Sequence, residues 1–181
     1  MITKTQATDV ICGEAYDLAK CFVENYLPPD ADLTENYHGQ IKYSPILGAL
    51  ANFVTDVSGT QIGLMEFDPE GFASWLYADD FGLNIVLDPR QMQIWAQQNA
   101  LPIHTQRLRC VIHELGHIFL SNIVPSAQPP TKYGIQAQSV PEREEEKAWA
   151  FTFMFLAVLL GDYSYRRRVK NKDDNTVAVH V

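Results

Sequence analysis

The chain has 181 residues, of which 46% are hydrophobic and 20% are charged, and its formal net charge is −8. This length suits one ordinary domain with a hydrophobic core, and the composition excludes a disordered or fibrous protein. The negative charge opposes attraction to phosphate backbones, so nucleic acid is not expected as a direct partner.

Three sequence features bear on the cellular compartment. Cys12, Cys21 and Cys110 form an odd set without motif spacing, so a disulfide framework is not expected. The first residues lack the apolar core of a secretory signal. The longest apolar stretch, residues 148–160, is shorter than the roughly 20 residues that span a bilayer. We therefore expect a cytoplasmic protein with no membrane partner.

Two helices are predicted in the N-terminal third. The first covers about residues 9–27, where apolar residues recur at helical spacing, and two prolines end it. The second begins at Ser44-Pro45, because serine can cap a helix and proline fits its first turn. It stops at Ser58-Gly59.

Extended segments follow. Residues 60–67 form a short apolar run before a turn, and residues 72–77 and 82–87 flank a short acidic connection. The latter pair predicts two antiparallel strands. Residues 91–98 predict one or two helical turns.

A helix is predicted over about residues 105–121, then a loop rich in Pro, Ser and Gln, and then a last helix from near Pro141. Residues 148–160 of that helix are apolar on all sides, which predicts burial. The core is expected to include Trp149, Phe151, Phe153 and Phe155. We assign residues 1–168 to one domain and residues 169–181 to a flexible tail.

The sequence His113-Glu114-Leu115-Gly116-His117 is the most informative motif. On a helix, positions i and i+4 lie one turn apart on the same face, so both imidazoles can bind one ion. Glu114 lies beside them, where it can accept a proton from an attacking water. The spacing therefore predicts a zinc site with His113 and His117 as ligands and Glu114 as the catalytic base.

A catalytic zinc needs a third protein ligand and an open position. The extended metzincin pattern requires a glycine and then a histidine after the motif, but Leu120 and Ile123 stand at those positions. That class is excluded. A thermolysin-like site takes a glutamate from a second helix, and one that faced inward would complete a His, His, Glu set. The last helix opens with Glu142, Glu144, Glu145 and Glu146.

Four other residues are candidates for roles in this site. Cys110 lies one turn before His113 and could approach the metal, although a buried small hydrophobic residue is the better interpretation. His38, His104 and Tyr133 could each donate a hydrogen bond to a transition-state oxyanion. Surface positions are commoner for such histidines.

The segment from Arg107 to Leu120, which contains the HELGH helix, resembles the active-site segment of the short zinc peptidases related to ImmA and IrrE. Their second signature is a glutamate three residues before an alanine, with an aromatic soon after, and the segment from Glu145 to Phe151 is similar to it. The resemblance implies that Glu145 is the third ligand, with Glu142 and Glu146 as alternatives in a run of acids.

The resemblance covers about residues 44–160. The chain departs from the family pattern in lacking the usual Leu-Met-Pro ending of the last helix and an attached helix-turn-helix domain. Relatives cleave transcriptional repressors, so the resemblance implies a repressor or a neighbouring gene's product as substrate.

These observations together predict an α+β, zincin-like fold: a small antiparallel or mixed sheet, N-terminal helices and two metal-bearing helices. The expected function is a zinc-dependent endopeptidase with Glu114 as base and proton donor. Residues 82–87 are predicted as the edge strand that holds an extended substrate. The alternative is a protein-binding module in which catalysis is dispensable, but such a module would have no need of Glu114. A DNA-binding regulator is disfavoured by the acidic charge.

Overall fold

The computed structural model describes residues 4–29, 31, 44–67, 74–80, 82–120 and 142–177. Within them the fold is a mixed α+β arrangement, mostly helical, with one small sheet. The elements in chain order are α1 (Lys4–Asn25), α2 (Pro45–Ser58), β1 (Ile62–Glu66), β2 (Ser74–Asp79), β3 (Gly82–Leu87), α3 (Pro89–Gln98), α4 (Ile103–Phe119) and α5 (Glu142–Val177).

The predicted ends of α2 are confirmed. The Ser44 side chain accepts a hydrogen bond from the Leu47 amide, and Pro45 occupies the first turn. Gly59 ends the helix in the left-handed conformation, with φ of 71°. Helix α3 is longer than the one or two turns predicted, because Asp88 caps it by accepting from the amides of Arg90 and Gln91.

The sheet has three strands in the order β1-β3-β2. Strand β3 pairs in parallel with β1 and antiparallel with β2, so the predicted antiparallel pair is confirmed. The prediction that residues 82–87 form an edge strand is wrong. Both sides of β3 are hydrogen-bonded to neighbours. The apolar residues Ile85, Val86 and Leu87 are all buried, which fits this central position.

One face of the sheet packs against α4. Leu83, Ile85 and Leu87 of β3 are buried in the main core, and their cross-strand neighbours point to the same face. One of those neighbours is Ser74, opposite Leu87. Helix α4 packs against β2 and β3. The polar side chains at the strand ends on this face therefore lie next to α4.

The helices meet around a cluster of aromatic rings. Successive ring centroids lie between 5.5 and 6.1 Å apart, and the contacts close on themselves across α1, α2, α4 and α5. The rings are those of Phe22, Phe53, Phe119, Phe151 and Phe155. This cluster fixes the position of α5 against α4.

Two predictions about the last helix need correction. Phe151 and Phe155 are buried, but Phe153 is 57% exposed and Trp149 is only partly buried. Residues 151 and 155 are one helical turn apart, whereas residue 153 points to the opposite side. The helix continues to Val177, and the assignment of residues 169–181 to a flexible tail stays a prediction.

No helix within the described ranges is both long enough and apolar enough to span a membrane.

Candidate metal centre

Three predicted ligands lie together between α4 and α5. The Nε2 atoms of His113 and His117 are 3.1 Å apart. Glu145 places Oε2 3.1 Å from His113 Nε2 and Oε1 3.4 Å from His117 Nε2. These residues form a group whose donor atoms could hold one metal ion. The structure therefore brings together the two motif histidines and the one glutamate of the acidic run that the family resemblance selected.

The spacing of these atoms fits a metal ion. Donors about 2.0–2.1 Å from a tetrahedral ion lie about 3.3 Å from one another. Without a cation, two imidazole Nε2 atoms facing each other can share only a proton, and a lone pair on each would repel the other. Two neutral imidazoles and a carboxylate suit zinc and several other divalent metals.

The orientation of His113 is fixed by an aromatic ring. Its imidazole lies against Trp149, with ring centroids 4.1 Å apart and planes inclined by 31°. The Nδ1 atoms of His113 and His117 are buried and have no hydrogen-bond partner among the described residues. Ring packing therefore performs, for His113, the orienting role that a hydrogen bond to Nδ1 often has in metal sites.

Glu145 is held in its ionised form. Hydrogen bonds from His113, and then from His117, lower the pKa of its carboxyl group to about 2. The Glu145 side chain is 38% exposed, so solvent reaches the donor group beside this residue. A partly accessible carboxylate whose pKa is lowered is suited to binding a cation.

Glu114 lies outside the donor group. It follows His113 by one residue, about 100° further round the helix, and only 4% of its surface is exposed. Its Oε1 accepts a hydrogen bond of 2.6 Å from the Ser74 hydroxyl. Burial raises the pKa of Glu114. This carboxyl group is therefore placed next to the candidate metal centre without being one of its ligands.

Ser74 is a residue of the candidate site that the sequence did not indicate. It is the first residue of β2, opposite Leu87, on the face that packs against α4. Because side chains alternate between the two faces of a strand, the sequence predicts which residues of β2 lie on the same face as Ser74. Its contact with Glu114, 40 positions away, depends on how α4 crosses the sheet.

Cys110 also lies on this side of α4 but is not one of the grouped donors. It is buried, accepts a hydrogen bond from Gln106 Nε2 at 3.2 Å, and has its pKa raised by burial to about 11. This supports its interpretation as a small buried hydrophobic residue.

The remaining candidates lie apart from the grouped donors. Glu142 and Glu146 are exposed, and Glu144 receives a hydrogen bond from Lys147 at 2.7 Å. His104, interpreted from sequence as a loop residue, is in the first turn of α4. His38 and Tyr133 lie outside the described residues.

The glycine of the motif explains how Glu145 reaches the histidines. A Cβ atom on Gly116 would lie 3.1 Å from Phe151 Cδ1 and 3.2 Å from the Ala148 carbonyl oxygen. These distances are shorter than ordinary van der Waals contacts, so α5 can approach α4 this closely only beside glycine.

Comparison of the chain with protein-family models, with curated proteins and with solved structures finds no match.

Proposed function

We propose that this protein is a zinc-dependent endopeptidase of zincin-like architecture, in which His113, His117 and Glu145 hold the ion and Glu114 is the catalytic base. One observation carries the proposal: three metal donors converge within hydrogen-bonding distance of one another, beside a buried carboxyl group that is not among them. A site that only stored a metal would have no use for that second carboxyl group.

The chemistry divides between the metal and the protein. Zinc bound at this centre would supply Lewis acidity, which makes a water nucleophilic near neutral pH. Glu114 accepts a proton from the attacking water and delivers it to the nitrogen of the leaving amine. A carboxyl group with a raised pKa is suited to both steps, because it exchanges a proton more readily near neutral pH than an ordinary glutamate.

The substrate chain is proposed to bind along β2. That strand is at one edge of the described sheet, and its first residue, Ser74, contacts the catalytic base. An extended peptide added to β2 would pass close to Glu114 and the metal donors. Strand β2 therefore replaces β3 as the proposed substrate-binding strand, because the backbone of β3 is already hydrogen-bonded to a neighbour on each side.

The substrate class rests on the resemblance of the two motifs to the ImmA and IrrE peptidases. It implies a protein substrate in the cytoplasm, namely a transcriptional repressor or the product of a neighbouring gene. The net charge of −8 is unfavourable for direct binding of nucleic acid.

The test compares Glu114→Gln with the wild type. Glutamine keeps the size of the side chain and can still accept from Ser74, but it is not basic. The variant should keep its metal and its melting temperature, and cleavage of the neighbouring gene's product should fall by about 10²-fold or more. Metal content, thermal melting and cleavage are measured on the same preparations.

Glu146→Gln is the matched control, since this glutamate is exposed and lies outside the donor group. It should leave all three measurements unchanged. If Glu114→Gln retains full biological activity with metal bound, the peptidase proposal is refuted and the protein is a binding module on this fold.

A further inference from the structure

The contacts between α4 and α5 extend beyond the metal donors. Side chains from the two helices alternate along the line where they meet, and each touches the next. In order they are His117, Glu145, His113, Trp149, Arg109 and Phe153. The candidate metal centre occupies one end of this row, and an arginine stacked on aromatic rings occupies the other.

The guanidinium of Arg109 is held by two rings. Its Cζ atom lies 4.7 Å from the ring centroid of Trp149 and 5.5 Å from that of Phe153. Both distances are within the range of cation–π attraction. Trp149 contacts His113 as well, so one indole links the arginine to a metal ligand. We call Arg109, Trp149 and Phe153 the arginine platform.

Stacking on the two rings does not engage the N–H groups of Arg109. A guanidinium carries five N–H groups in its plane, and contact with a ring face engages none of them. Within the described part of the chain, Arg109 has no ion pair or hydrogen bond, and its Nε is buried without an acceptor. Arg107, on the same helix, instead pairs with Glu66 at 3.1 Å.

A purely structural stack would not explain the accessibility of the platform. Arg109 and Trp149 are only partly buried, and Phe153 is 57% exposed. A guanidinium that stacks on accessible rings and has no ion pair or hydrogen bond among the described residues matches the planar, two-oxygen geometry of a carboxylate. A neutral carbonyl could accept only weaker hydrogen bonds than a charged, two-oxygen carboxylate, and a cationic group would be repelled.

We propose that the arginine platform is a binding subsite for a carboxylate of the peptide substrate. The inference rests on the proposed peptidase function. Arg109 precedes His113 by one helical turn, about 6 Å along the axis. An extended peptide that runs beside α4 advances about 3.3 Å per residue, so we place the carboxylate about two residues from the scissile bond. Its source is either an acidic side chain or the C-terminus of the substrate.

The experiment measures binding of short peptide hydroxamates to the zinc-loaded full chain by calorimetry. The hydroxamate, at either end of the peptide, anchors the probe at the metal. One pair carries Glu or Gln two residues away, and another pair ends there in a free carboxylate or a carboxamide. The first pair tests an acidic side chain, and the second tests a C-terminus.

In the wild type, one of the carboxylate probes should bind about 10-fold or more tightly than its neutral match. Arg109→Gln should reduce this ratio to about 1. Arg107→Gln removes an equal charge from the same helix and should leave the ratio unchanged. Arg109→Lys keeps the charge but not the planar fork, so it should give a lowered ratio even if Arg109→Gln does not fold.

Two results would overturn the inference in distinguishable ways. Equal binding of charged and neutral probes by the wild type, or a ratio that is unchanged in folded Arg109→Gln or Arg109→Lys, refutes the subsite alone. Failure of every hydroxamate to bind, in protein that takes up no zinc, refutes the metal centre and the subsite with it.

Discussion

The pKa values of the carboxyl groups on the two sides of α4 are shifted in opposite directions. On the side facing α5, Glu145 is partly exposed, and hydrogen bonds from His113 and His117 lower its pKa to about 2. On the side facing β2, Glu114 is buried, and that burial raises its pKa. The difference comes from environment alone, since the side chains are identical.

In the proposed function, this contrast would separate two tasks within one site. A carboxylate that stays ionised can hold a cation, whereas one that is protonated more readily can transfer a proton. Helix geometry makes the separation possible, because Glu114 projects about 100° away from His113 and so faces the sheet instead of α5. The comparison predicts that changes on the α5 side affect metal binding and that changes on the β2 side affect catalysis.

The largest effect is expected from the histidines. His113→Ala or His117→Ala removes one of the three converging donors, so the protein should lose its bound metal, measured by elemental analysis after expression with zinc. His104→Ala is the control, since this histidine is also on α4 but outside the donor group. If both ligand variants retained the metal, the prediction that changes on the α5 side affect metal binding would be refuted.

A smaller loss of metal is expected when Glu145 is replaced. Glu145→Ala leaves both histidines in place, so zinc affinity should fall without being abolished, as measured by titration against a chelating indicator. Glu146→Ala should have little effect, because residue 146 is exposed and points about 100° away. If Glu146→Ala proved the more damaging change, the third ligand would be misassigned.

Ser74→Ala tests the β2 side. Removing the hydroxyl takes away the hydrogen bond that Oε1 of Glu114 accepts, so cleavage should fall by about 10-fold while metal content is unchanged. That bond favours the ionised carboxylate and lowers its pKa, so its loss should raise the pKa of Glu114. The acidic limb of the pH–rate profile should therefore move to higher pH.

Ser74→Thr is the matched control for this variant. It keeps the hydroxyl and suits a strand, so both the rate and the pH profile should stay near those of the wild type. An alanine variant with a wild-type pH profile would show that Ser74 has only a packing role.

The smallest effect concerns the close approach of α4 and α5. Gly116→Ala should lower the free energy of unfolding by about 1–3 kcal/mol, because the new methyl group overpacks against Phe151 and Ala148. Gly48→Ala in α2 meets nothing within 4 Å and should instead stabilise by about 0.5–1 kcal/mol. Urea unfolding measures both. Equal stabilisation by the two alanines would mean that Gly116 does not limit the helix spacing.

Much of the fold follows from local sequence. Helix α2 was predicted to within its caps because Ser44, Pro45 and Gly59 have conformational preferences of their own. The antiparallel pairing of β2 and β3 likewise follows from two short runs around a tight connection. The order of the strands was not predictable in this way. Strand β1 pairs with β3 on the side opposite β2, and this pairing joins segments that are distant in sequence.

The candidate site shows the same division. His113 and His117 are one turn apart, so helical periodicity places them on one face. Glu145 required the family resemblance, since four glutamates stand in the first turns of α5 and the sequence alone does not fix its rotation. Ser74 and the exposure of Phe153 depend on how α4 and α5 pack, and no local pattern encodes that packing.

The distance along the chain between the metal donors has a consequence for folding. His113 and Glu145 are 32 positions apart, so an ion bound to both would close a long loop. Such a crosslink reduces the conformational freedom of the unfolded chain, and an ion that prefers the folded form stabilises it by mass action. The proposed metal centre thereby makes the melting temperature of this protein a function of free zinc concentration, independently of any substrate.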